Sequence, residues 1–167
     1  MNIFGIAGWS GSGKTTLIVN LLPELTKRGI SVSTVKHAHH EFDIDKPGKD
    51  SFVHRMSGAT EVIIGSKTRW ALMHELRGGD EASTRELVAK MSPVDLVLVE
   101  GFKHEDHEKI EVYRQGLKDP PNALRDPTII ALADDGTTTG LPDRVQRLDA
   151  GDPVAVAAGQ FRDPEVL

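Results

Sequence analysis

Gly8 to Thr15 read GWSGSGKT, a full match to the spacing G-x-x-x-x-G-K-[ST]. The context fits the motif. NIFGIA (2–7) has the character of a short strand, and TTLIVNLLPELTKRG (15–29) carries Leu17, Leu21 and Leu25 at helical spacing with Ile18 and Leu22 beside them. A strand that turns through glycines into a helix can curl its backbone so that N–H groups point inward, and the helix N-terminus adds positive potential. Gly8, Ser10, Gly11, Ser12 and Gly13 are therefore candidate phosphate-binding positions. Lys14 can reach terminal phosphates, Thr15 can offer a hydroxyl to Mg²⁺, and Thr16 can meet the first phosphate. A glycine-rich turn with a chance lysine is the alternative, and the strand–turn–helix context argues against it. Trp9, at the mouth of the loop, can stack on a ligand, meet a partner or simply pack.

Outward from the loop, Pro23 is expected to kink the first helix and Gly29 to end it. ISVSTVK (30–36) alternates as a strand, and DSFVHRMSG reads as a short helix. ATEVIIGS and KTRWALMHEL read as a hairpin turning near Gly65–Ser66, so the sheet is not expected to be purely parallel. Ser83 with Glu86 can form a capping box for a helix through Met91. VDLVLV (94–99) has the apolar run of a strand buried on both faces, and KIEVYR and TIIALAD (128–134) add two more strands. LPDRVQRL reads as a short helix, and DPVAVAAGQF as a terminal one with Asp152 as cap and Pro153 in the first turn. The alternation predicts a three-layer α/β, P-loop NTPase-like fold with a mostly parallel central sheet and an antiparallel hairpin. The 167 residues are expected to form one nucleotide-binding domain, 1–167.

A second acidic point faces the loop. VDLVLV ends at Glu100, and a carboxylate at such a strand end can hold Mg²⁺, often through water. Gly101 lets the backbone approach a terminal phosphate. An exposed strand-end charge is the plainer alternative for Glu100.

VKHAHHEFDIDKPGKDSF (35–52) follows the second strand and would deliver His37, His39, His40, Asp43 and Asp45 to the ligand rim of the sheet. Acidic side chains beside a triphosphate need an intervening cation or water, so Asp43 and Asp45 are candidate catalytic residues that hold Mg²⁺-bound water or position water. Lys36 is a candidate to offset phosphate or transition-state charge, and His37 to donate to a phosphate or hold an acid. A transition-metal site from the three histidines and an aspartate is chemically allowed, and plain structural or solvent roles compete with it. Lys46, Lys49 and Asp50 can pair locally. FKHEDHEK (102–109), with His104 and His107, reads as a solvated face, a docking surface or a mobile lid.

A formal net charge of −5, from 20 basic and 25 acidic residues, argues against general affinity for nucleic acid or anionic membrane. The absence of cysteine excludes disulfides and thiolate metal sites. MNIFGIAGWSGSGK does not read as a signal peptide, and no apolar stretch reaches spanning length. A cytoplasmic protein is expected.

GIAGWSGSGKTTL, VKHAHHEFDIDKPGKDS, HRMSGA, the RWALM strand and VDLVLVEGFKHEDHEKIEVYR together resemble the MobB family of molybdopterin-guanine dinucleotide biosynthesis adapter proteins. The likeness runs over residues 2–114 and continues more loosely. It implies a P-loop α/β fold, a homodimer, and GTP bound with Mg²⁺ and hydrolysed weakly. It also implies assistance to the molybdenum cofactor guanylyltransferase, which joins GMP to molybdopterin, and contact with the molybdenum insertion enzyme. The phosphate site would be Gly8 to Thr16, the second acidic position Glu100, and the family-specific acidic loop His37 to Asp50. The chain lacks N-K-x-D. ALADD (131–135) corresponds to a family segment in which Asp134, or Asp135 with the register slipped by one, can accept from guanine N1 and N2; a strand-end turn is the alternative.

The resulting expectation is a slow GTPase acting mainly as an adapter. Arg69, Arg85 and Arg114 are candidate arginine fingers, in cis or from a dimer mate. Two rivals stand beside it: a small-molecule kinase on the same scaffold, and a metal-delivery protein using the histidine loop.

Overall fold

The fold is seen in a computed structural model, described over residues 1–38, 42–102 and 104–161. The elements in chain order are β1 (Asn2–Ala7), α1 (Lys14–Lys27), β2 (Val32–Lys36), α2 (Asp50–Met56), β3 (Glu61–Gly65), β4 (Trp70–His74), α3 (Thr84–Val88), β5 (Leu96–Glu100), β6 (Lys109–Val112), β7 (Ile129–Asp134), β8 (Gln146–Asp149) and α4 (Pro153–Gln160), with a 3₁₀ turn at Asn122–Leu124. They fall into two compact units: Met1–His37 with Thr84–Leu167, and Ala38–Ser83.

The larger unit is built on a six-stranded sheet in the order β2-β5-β1-β6-β7-β8. Every strand pairing in it is parallel. β1 and β5 are adjacent interior strands of this sheet and are apolar on both faces, as strands covered on two sides must be. On one face Phe4, Ile6, Ile110 and Ala131 pack with Leu17, Leu21 and Leu25 of α1 and Val156 of α4. On the other, Val35, Val97 and Val99 pack with Val88 of α3, and Ile129 and Leu132 pack with Ala123 of the 3₁₀ turn. This is the three-layer arrangement expected.

α1 passes through Pro23 without ending, because Pro23 lies on the exposed side and the buried stripe is unbroken. α4 starts as read: the Asp152 side chain accepts from Ala155 N at 2.9 Å, with Pro153 in the first turn.

Three expectations need correction. The hairpin β3–β4 does form, with Val62 opposite Met73 and Gly65 opposite Trp70, but it is a separate two-stranded sheet in the smaller unit, so the main sheet is not mixed. LPDRVQRL is not a helix; its second half is the edge strand β8. Val145 and Leu148 are three apart, which reads as helical, but here they enter cores on opposite faces of the sheet, as an odd spacing in extended chain requires. The 102–109 run is not simply a solvated face. Over residues 104–109, Glu105, His107 and Lys109 turn inward between the exposed His104, Asp106 and Glu108, and Lys109 is fully buried.

Candidate functional site

The site grows from the loop between β1 and α1. Gly8 sits at φ 135° with its α-carbon against β6, where a β-carbon would stand 2.4 Å from the Val112 carbonyl oxygen, so the first turn of the loop admits only glycine. Ser12 N donates to Trp9 O at 3.2 Å, and Lys14 Nζ donates to the carbonyls of Gly8 and Trp9 at 2.9 Å each. The lysine is thus folded back over the loop it closes. Its burial holds the ammonium below the usual lysine range, a shift opposed by the Glu100 carboxylate and reinforced by the Lys36 charge. The Ser12 hydroxyl is buried and has no hydrogen-bond partner among the described residues. Ser10, Gly11 and Thr16 lie on the exposed rim.

β5 brings in the opposing group. It ends at Glu100, directly beside β1 and β2, and the Thr15 hydroxyl donates to Glu100 Oε1 at 3.1 Å. Lys36, at the end of β2, lies 3.6 Å from the same carboxylate. Thr15, Glu100 and Lys36 therefore converge as the sequence suggests. A hydroxyl and a carboxylate on facing elements form a hard-oxygen donor set, and that set fits Mg²⁺.

Gly101 follows at φ 97°, and a β-carbon there would come within 2.7 Å of the His37 β-carbon. His37 N donates to Glu100 O at 2.9 Å, and its ring tilts over Phe102 with centroids 4.7 Å apart. Phe102 itself holds φ 46°. A positive φ on a bulky residue costs about 1–3 kcal/mol and recurs at functional rims.

Arg114, just past β6, approaches from the other side of β1. Its Nη2 packs against Gly13, 3.3 Å from where a β-carbon would be. β5 and β6 flank β1 on opposite sides, so Arg114 and the Thr15–Glu100 pair bracket the loop. Arg85 is exposed on α3, and Arg69 belongs to the hairpin turn of the smaller unit.

Other sequence candidates have different surroundings. Asp43 and Asp45 belong to the smaller unit, where Arg55 holds both, at 2.6 and 2.9 Å, together with Glu75 at 3.2 Å. Asp45 is buried, and the Arg55 guanidinium compensates its charge there. Sequence reasoning passes over Arg55; its one visible signal is a cation on a short helix after a D-x-D loop. Asp134 is likewise enclosed. Its carboxylate accepts from Gly136 N, Thr138 N and Arg147 Nη1, with no side-chain surface exposed, so it fastens the turn after β7. Asp135 is exposed beside it. His39 and His40 lie outside the described residues. Among the described residues, no three His, Asp or Glu side chains form a metal-holding group.

A parallel sheet with a glycine loop at the end of its central strand, an invading lysine and a facing carboxylate define a protein of P-loop NTPase-like fold. The chain belongs to the MobB family. The family model, described as molybdopterin guanine dinucleotide synthesis protein B, matches residues 3–135. The molybdopterin-guanine dinucleotide biosynthesis adapter protein of Escherichia coli (strain K12) is 46% identical over 136 residues, covering 80% of this chain and 78% of that one. Its counterpart in Haemophilus influenzae is 42% identical over 131 residues, covering 78% and 73%. The crystal structure of a MobB homolog from Bacillus stearothermophilus superposes over the full length of both chains with a TM-score of 0.75 at 22% identity, a likeness of fold. No helix among the described residues is long and apolar enough to cross a membrane.

Proposed function

We propose that the chain is a GTP-binding adapter with slow GTPase activity that assists attachment of GMP to molybdopterin. The observation that carries this reading is the convergence of Lys14, Thr15, Glu100 and Lys36 around the Gly8–Thr16 loop, in a chain of the MobB family. The loop N–H groups and Lys14 would hold the phosphates, and Lys36 would offset charge at the terminal one. Thr15 and Glu100 would hold Mg²⁺, which supplies charge neutralisation when bound. Gly101 leaves room for the backbone near the terminal phosphate. With Asp134 enclosed, Asp135 is the carboxylate at the β7 end that is open to guanine N1 and N2.

Arg114 lies on the β6 side of the loop and the metal-binding pair on the β5 side, which supports a ground-state contact with the nucleotide more than a transition-state finger. Slow turnover fits that placement. Asp43 and Asp45 would act mainly by shaping their loop through Arg55. Partners would be a second copy of the chain, the molybdenum cofactor guanylyltransferase and the molybdenum insertion enzyme, in the cytoplasm. The hairpin of the smaller unit supports the homodimer: Ile63 and Trp70 are 67% and 65% exposed on a two-stranded sheet, too small to stand alone as a stable surface.

Incubation with γ-labelled GTP tests the reading. Label released slowly as inorganic phosphate is expected. Label on an organic acceptor would replace the GTPase with a small-molecule kinase.

A further inference from the structure

The face of the sheet opposite α1 carries charged groups that the nucleotide reading does not use. Ile6 and Ile110 point toward α1, so Gly5, Ala7, Lys109 and Glu111 point away from it. Lys109 and Glu111 are both fully buried. Lys109 Nζ donates to the Glu105 carbonyl, to His107 O at 3.1 Å and to Thr128 Oγ1 at 2.7 Å. Glu111 accepts from Asn122 N, Asn122 Nδ2 and Ala123 N at 2.7–2.9 Å. These bonds fix the 120s segment over the sheet and leave a groove of about 430 Å³ beside it. The volume lies within the size range of small-molecule sites.

The groove has chemically distinct walls. Ala7 and Ile129 give it an apolar floor. Trp9 forms one wall, with its ring fixed by Nε1 donating to Pro120 O at 2.9 Å. Asp126 lines the groove; its Oδ1 accepts from Thr128 N and Oγ1, and its Oδ2 carries no hydrogen bond among the described residues. Arg125 and His104, both exposed, complete the rim, and neither side chain is paired among the described residues. A fixed aromatic plane, an open carboxylate oxygen, a rim guanidinium and a rim imidazole match one ligand chemistry. The ring stacks on Trp9, adjacent ring N–H and amino donors meet Asp126, and an anionic substituent meets Arg125 and His104.

We propose that this groove is a second small-molecule site, for a planar heterocycle with an amino-pyrimidinone edge and an anionic substituent. Pterins and guanine nucleotides share that edge. The site stands apart from the nucleotide reading of the glycine loop, and family membership guides only the choice of probe. Trp9 couples the two sites: its ring walls the groove, while its carbonyl accepts from Lys14 Nζ and Ser12 N in the phosphate loop. A ligand stacked on Trp9 would steady the first turn of that loop.

The test uses the full chain carrying Trp70→Phe, which leaves Trp9 as the sole tryptophan of the two in the sequence. Pterin-6-carboxylate and GMP are titrated separately against Trp9 fluorescence. Saturable quenching is expected, weakened about tenfold by Asp126→Asn and by Arg125→Ala. The amide oxygen introduced by Asp126→Asn would still accept from Thr128, so that variant should fold; thermal melting checks it. Saturation by the pterin alone assigns the groove to a pterin, and saturation by GMP with the same variant dependence assigns it to a guanine base. No saturable quenching by either probe, or quenching indifferent to both groove variants, overturns the proposal. Loss of MgGTP binding in Lys14→Ala with pterin binding retained separates the two sites, and pterin binding without MgGTP binding in wild type would sink the loop reading alone.

Discussion

Thr15 and Glu100, 85 residues apart in sequence, meet with the Thr15 hydroxyl 3.1 Å from Glu100 Oε1. The contact crosses from the first turn of α1 to the end of β5, and it joins the two oxygens expected to share Mg²⁺. Thr15→Ala and Glu100→Gln should each cut the Mg²⁺-dependent part of GTP affinity about tenfold or more, ~1.4 kcal/mol, and leave metal-free binding nearly unchanged. Calorimetric titration with and without Mg²⁺ checks this; equal losses in both conditions would remove the metal role.

Arg114 against Gly13 makes a different kind of prediction. A ground-state contact requires Arg114→Ala to weaken GTP and GDP alike, by about 1–2 kcal/mol, with little change in kcat. A fall in kcat at unchanged affinity would instead make Arg114 the arginine finger.

His107 should make stability depend on pH. Burial, then the neighbouring Lys109 charge, holds its imidazole below the ordinary range, and its Nε2 is buried without a partner among the described residues. Between the folded value and the unfolded value of about 6.5, the unfolded chain binds a proton that the folded chain does not. The stability this group contributes is therefore fully present above about pH 6.5 and is lost as pH falls toward the folded value. The difference in urea midpoint between wild type and His107→Gln, followed from about pH 8 to 5, should shrink on acidification; a constant difference would contradict it.

Arg55 tests the smaller unit. Arg55→Met removes the cation from Asp43, Asp45 and Glu75 and leaves Asp45 buried and unpaired. Limited proteolysis should then cut within 38–83 faster than in wild type, while Thr15→Ala should not change that rate. Equal cleavage of wild type and Arg55→Met would show that the cluster does not hold the unit.

Much of this is legible in residue order. The glycine loop and Glu100 can be found because each follows strand residues strongly marked as apolar, and Lys36 because it ends an alternating strand; parallel strands carry such groups to one rim. β8 escapes notice because an edge strand buries little: Val145 and Leu148 serve opposite faces and imitate helical spacing. Asp43, Asp45 and Asp134 are read by their place in the chain, whereas their partners Arg55 and Arg147 come from pairings that spacing does not reveal. The inward turn of Lys109 is hidden for the same reason. Its burial depends on carbonyl oxygens and on Thr128, which only the folded chain brings within reach.

The most direct measurement is titration of wild type and Lys14→Ala with MgGTP, with MgATP and MgGDP in parallel. Saturable binding of GTP in preference to ATP is expected for wild type, with affinity reduced about a hundredfold or more, ~2.7 kcal/mol, in a variant that melts at the same temperature. Wild-type affinity in folded Lys14→Ala would contradict a phosphate-binding role for the Gly8–Thr16 loop.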